Sequence, residues 1–112
     1  MFSETSFIEQ FKEIQRKIYT IAKSKGWWDK PRNDGEMIAL MHSELSEGLE
    51  AIRKNLTSDH LPDFKGIEEE LADVIIRIMD YAESRELKVA EAIFAKIRFN
   101  EGRERMHGGK LF

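Results

Sequence analysis

The chain has no cysteine, which removes disulfide frameworks, thiolate nucleophiles and zinc–thiolate sites from consideration. Proline occurs only twice, at Pro31 and Pro62, and both fall in segments that read as loops. No long basic stretch is present, which argues against a dedicated DNA or RNA binder. No apolar window approaches the length that a membrane span needs. The N-terminal MFSETSFIEQF lacks a basic region followed by an apolar run, so it does not read as a signal peptide. There is no alternating strand pattern, internal repeat or low-complexity tract. With 112 residues, a formal charge of −3 and 35% charged residues, the reading is one soluble, cytoplasmic domain. A domain of this size gains from oligomerisation.

Apolar residues recur at helical spacing in four segments. Phe7, Phe11, Ile14, Ile18 and Ile21 form the first stripe. Ser3 or Ser6 can cap its start, and Gly26 fits just past its end. Asn33 or Asp34 suits the start of the second helix, whose stripe is Met37, Met41, Leu45, Leu49 and Ile52. Leu56 to Gly66 reads as a loop. Ile67, Leu71, Val74, Ile75, Ile78, Met79 and Ala82 mark the third helix, and Leu87, Ala90, Ile93, Phe94 and Ile97 the fourth. The fold class is therefore all-α, a bundle of four to five helices over residues 1–112. Phe2, Phe64, Phe99 and Phe112 add more large apolar surface than a thin bundle covers, which predicts a homodimer or a tetramer.

Two acidic signatures interrupt these stripes: Glu44-Leu45-Ser46-Glu47 and Glu70-Leu71-Ala72-Asp73. Residues three apart on a helix share a face, so each pair sets two carboxylates side by side. The alternative is two solvated helix faces. Against it, Gly48 follows the first pair and permits close helix approach, while Glu70 and Asp73 interleave with Leu71, Val74 and Ile75. Four converging carboxylates suit a hard divalent cation, Mg²⁺ or Mn²⁺. A di-iron site needs Glu-x-x-His motifs, and neither motif here ends in histidine; His42 faces away from Glu44, His60 falls in a loop and His107 in the tail. Glu68, Glu69, Glu83 and Glu86 lack a matched pair and read as solvated.

Lys96, Asn100 and Arg103 form one polar line on the fourth helix, either a solvated face or a phosphate clamp. Trp27 and Trp28 precede the basic turn Lys30-Pro31-Arg32. They are either a loop plug or subunit contact, or a platform for a nucleobase.

Taken together, Glu44, Glu47, Glu70 and Asp73, with Lys96 and Asn100 downstream, resemble the MazG-like nucleotide pyrophosphohydrolases of the all-α NTP pyrophosphatase superfamily. The likeness covers roughly residues 27–112 and includes the Pro31-Arg32-Asn33 turn, Arg103 and the tail His107-Gly108-Gly109-Lys110. It implies a helical bundle whose core and cleft are completed by dimerisation, and hydrolysis of a nucleoside triphosphate to monophosphate and pyrophosphate. On this resemblance the four carboxylates hold Mg²⁺ or Mn²⁺, and Glu47 takes the proton of the attacking water. Lys96, Asn100, Arg103 and Lys110 then contact the phosphates, and the base lies toward Trp27 and Trp28. Phosphoribosyl-ATP pyrophosphohydrolase shares the superfamily and is the rival enzyme. A non-catalytic helical oligomer or interaction module is the rival of another class.

Overall fold

The structure, a computed structural model, describes residues 3–103. Four helices follow in order: α1 (Glu4–Ser24), α2 (Asp34–Arg53), α3 (Gly66–Arg85) and α4 (Val89–Glu101). Among the described residues there is no strand, only an isolated antiparallel bridge between Thr57 and Lys65. No described helix is long and apolar enough to cross a membrane. Of the cap candidates, Ser3 and Asn33 serve. Ser3 Oγ accepts the Ser6 N–H at 3.2 Å, and Asn33 Oδ1 accepts the Glu36 N–H at 2.8 Å. Each satisfies a donor that the first helical turn leaves open. Gly26 follows α1 at φ +87°, a left-handed conformation that costs glycine little because it has no Cβ.

α3 packs against both α2 and α1, and α4 packs on α1. The α2 surface turned inward is not the one its leucines predict. Its buried residues are Met37, Glu44, Gly48 and Ala51, while Leu45, Leu49 and Ile52 are exposed. Small side chains explain this. A Cβ on Gly48 would stand 3.0 Å from Ile67 Cδ1 and 3.4 Å from Glu70 Cβ, and one on Gly66 would stand 3.0 Å from Ala51 Cβ. Helices can approach this closely only where side chains are absent or small, so the small-residue seam, rather than the leucine stripe, faces α3. Leu71 and Ile75 of α3 are left exposed as well, as are Ile14 and Ile21 of α1. The buried apolar core among the described residues is Met37, Ala51, Met79, Ala82 and Ala90.

Candidate metal centre

The close approach at Gly48 has an electrostatic consequence. Glu44 and Glu47 lie about one turn from Gly48, and Glu70 Cβ comes within 3.4 Å of where a Gly48 Cβ would stand. One carboxylate oxygen from each of Glu44, Glu47 and Glu70 falls within 4.8 Å of the other two. Glu44 is 8% exposed, Glu70 is half-buried and Glu47 exposed. Repulsion among three such groups has little to offset it. Arg77 Nε donates to Glu44 Oε1 at 2.8 Å, whereas Glu70 Oε2 is buried with no hydrogen-bond partner among the described residues. Burial, then the nearness of Glu44 and Glu47, pushes the Glu70 carboxyl up to about 7.

Asp73, one turn along α3, falls outside that 4.8 Å group. It remains within its field. Burial raises the Asp73 carboxyl above the usual carboxylate range, the charges of Glu44 and Glu69 add to the rise, and Arg77 opposes it. Thus three of the four sequence-predicted ligands converge and the fourth stands beside them. The donor set fits a hard divalent cation: it is all oxygen, its three carboxylates share one arginine among the described residues, and one buried oxygen has no hydrogen-bond partner there. No histidine of the described residues belongs to the group.

Glu44 and Asp73 also line a cavity of about 700 Å³, together with Trp27, Arg32, Arg77 and Asp80. Here the two tryptophans part ways. The Trp27 ring lies under the Arg32 guanidinium at 3.7 Å, with Arg77 5.1 Å from its centroid. Trp28 pins the loop to α3 instead: its Nε1 donates to Asp80 Oδ1 at 3.0 Å, and its ring packs 5.8 Å from Tyr19. Trp27 therefore stands at the cavity, while Trp28 supports the wall behind it.

The polar line expected on the fourth helix lies elsewhere in the single chain, and only Lys96 and Asn100 are on α4: the helix ends at Glu101 with Gly102 as its cap, so Arg103 falls just past it. Lys96 and Asn100 border a separate cavity of about 370 Å³ with Val89 and Ile93. Lys96 Nζ lies 4.5 Å, and Arg103 Cζ 5.4 Å, from the centroid of the Phe99 ring. One chain does not bring these three residues to the carboxylates. Lys110, and the tail His107-Gly108-Gly109 before it, lie outside the described residues, as do Phe2 and Phe112.

Two features escape the sequence reading. Arg77 is the single positive side chain among the described residues that bonds to the cluster. Its signal was available, since Glu70, Asp73, Arg77 and Asp80 fall at i, i+3, i+7 and i+10 on one face. The second is a correction. Glu69 is not a freely solvated acid, because it accepts the Ser58 hydroxyl and bonds His60 Nδ1 at 2.9 Å. Glu83 likewise accepts from Gln15 Nε2 at 3.0 Å and is half-buried. Both contacts depend on how distant segments meet, which spacing does not encode. No protein-family model matches the chain, and neither the curated proteins nor the solved structures provide a match.

Proposed function

We propose that the chain is a Mg²⁺- or Mn²⁺-dependent pyrophosphohydrolase that cleaves nucleoside triphosphates to monophosphate and pyrophosphate. The observation that carries this reading is the convergence of Glu44, Glu47 and Glu70 within 4.8 Å, together with a buried Glu70 oxygen that has no hydrogen-bond partner among the described residues. These three residues, with Asp73, would hold the cation. When bound, it neutralises phosphate charge and acidifies water near the α-phosphorus. Glu47, the exposed member of the group, would take the proton of the attacking water. Trp27 and the cavity of about 700 Å³ beside Glu44 offer room for the base and sugar.

The same reading assigns the chain to a homodimer or a dimer of dimers. Leu45, Leu49 and Ile52 of α2 and Leu71 and Ile75 of α3 are exposed on the helices that carry the carboxylates. A second copy covering that face removes them from water and closes the cleft. It also offers a route by which Lys96, Asn100 and Arg103 reach the pyrophosphate, which leaves as a multiply charged anion needing several donors.

Hydrolysis of a nucleotide panel in ¹⁸O-labelled water, with and without Mg²⁺, tests the reaction. Label in the nucleoside monophosphate, only when metal is present, is the expected result. Label in free orthophosphate places attack at the γ-position and overturns it. No turnover across the panel, with metal binding intact, leaves a non-catalytic helical oligomer.

A further inference from the structure

Arg77 commits one of its donors to Glu44 and leaves the rest open. Nε donates to Glu44 Oε1 at 2.8 Å, and neither Nη1 nor Nη2 has an acceptor among the described residues. An arginine kept only to neutralise a carboxylate gains most from a bidentate fork, and this one forgoes it. Its side chain is 26% exposed and lines the cavity of about 700 Å³ alongside Glu44 and Asp73. It stands one helical turn past Asp73, so it shares the face that carries the acidic residues.

We infer that Arg77 is a phosphate-contacting residue of this site. Its Nη groups take oxygens of the polyphosphate, and its Nε holds Glu44 until the cation claims that carboxylate. This inference rests on the pyrophosphohydrolase reading and adds to it an anion-binding arm supplied by the same helix as Glu70 and Asp73. A distinctive consequence follows from the shared use of Glu44. Arg77 competes with the cation for one carboxylate, yet cooperates with it in binding the phosphate chain. Removing the guanidinium should tighten the metal alone and loosen the anion. A residue with only a structural part in the fold would weaken both.

Calorimetry on the full chain reads the two affinities separately, using Mg²⁺ alone and then inorganic pyrophosphate at saturating Mg²⁺. Arg77→Gln is expected to bind Mg²⁺ about threefold more tightly, since a nearby positive charge has gone. It is expected to bind pyrophosphate about tenfold more weakly, having lost charge-assisted hydrogen bonds. Arg77→Lys should return the Mg²⁺ affinity to the wild-type value and recover part of the pyrophosphate affinity. Loss of both affinities together, or an unchanged pyrophosphate affinity, overturns the inference. Should Arg77→Gln not fold, the Arg77 Nε–H resonance of the wild type, assigned by its absence from Arg77→Lys, decides. It should move when Mg²⁺ is added and again when pyrophosphate follows; indifference to pyrophosphate overturns the inference. Wild type that neither binds Mg²⁺ nor hydrolyses any triphosphate brings down the functional reading itself. Wild type that turns over triphosphates while Arg77→Gln keeps its pyrophosphate affinity removes Arg77 alone.

Discussion

Glu69 and Glu70 are consecutive residues of α3, but about 100° of helical turn sends them into unlike surroundings. Glu69 meets donors. The Ser58 hydroxyl and His60 Nδ1 hold it, and they draw its carboxyl below the usual range. Glu70 meets acceptors. Facing Glu44 and Glu47 in a partly desolvated place, its carboxyl rises to about 7. The first carboxylate is completed by its own chain, tying the 54–65 connection to α3. The second has a buried oxygen with no hydrogen-bond partner among the described residues. Clustered carboxylates are costly while all of them are charged, and the cation proposed above would offset that cost.

The largest test of that contrast is metal binding after isosteric neutralisation of each residue. Glu70→Gln should lower Mg²⁺ affinity by roughly 100-fold or more, since even residues that merely support metal ligands cost 10–100-fold. Glu69→Gln should leave it near wild type. Thermal stability without metal should move the other way: Glu70→Gln melts higher than wild type because repulsion is relieved, and Glu69→Gln melts lower because one of its two partners loses its acceptor oxygen and the charge that strengthened both bonds is gone. Equal Mg²⁺ affinity for wild type and Glu70→Gln defeats the claim that the cluster is a metal centre.

A smaller effect probes whether the cluster needs the distant cations of α4. Lys96→Ala should reduce triphosphate turnover by roughly tenfold through loss of a phosphate donor, with helicity unchanged because alanine favours helix. Light scattering coupled to gel filtration completes this test. If the active species is a monomer, Lys96 has no second copy through which to act, and its proposed role fails.

The pH dependence of stability separates the two acids in sign. Glu70 has a folded value of about 7 against an ordinary 4.5, so folding favours its protonated form. Its stabilising share is full below about 4.5 and is lost as pH rises through about 7. Glu69 is lowered from 4.5, so its share is present above that value and lost as pH falls through its depressed one. The melting-temperature gain of metal-free Glu70→Gln over wild type should therefore grow between pH 5 and 8 and disappear near pH 4. A gain that is flat across that range shows that Glu70 does not ionise against its neighbours.

The helices and the acid pair of α2 were legible because they are written locally. Apolar spacing gives four helices, Asn33 and Ser3 cap where short polar residues precede the stripes, and Gly48 beside Glu44 and Glu47 announces a close crossing. Which face turns inward was not legible. The leucines of α2 make the more regular stripe, yet steric access at Gly48 and Ala51 decides the α2–α3 contact. The contrast between Glu69 and Glu70 was hidden too, since it depends on where residues 54–65 deliver Ser58 and His60. Arg77 shares the helical face of Glu70 and Asp73, but spacing alone does not distinguish an arginine bonded to a carboxylate of another helix from a solvated counter-charge.

A third carboxylate of α3 falls between the two extremes and gives the finest test. Asp80 is 6% exposed and, among the described residues, has a single hydrogen-bond donor, Trp28 Nε1, at 3.0 Å. Burial raises its carboxyl, while the indole hydrogen bond and the charges of Arg77 and Arg32 hold the rise in check. Trp28→Phe keeps most of the ring contact with Tyr19 and deletes only the donor. The expected cost is about 1–2 kcal/mol, or roughly 5 °C in melting temperature. Because Asp80 is raised from 3.8, its charged form is the one that folding disfavours, and the lost donor had served that form. The cost of Trp28→Phe should thus be greatest at pH 8 and shrink toward pH 4, as Asp80 takes up a proton and needs the indole less. A cost independent of pH would assign Trp28 to packing alone and leave Asp80 satisfied by its arginines.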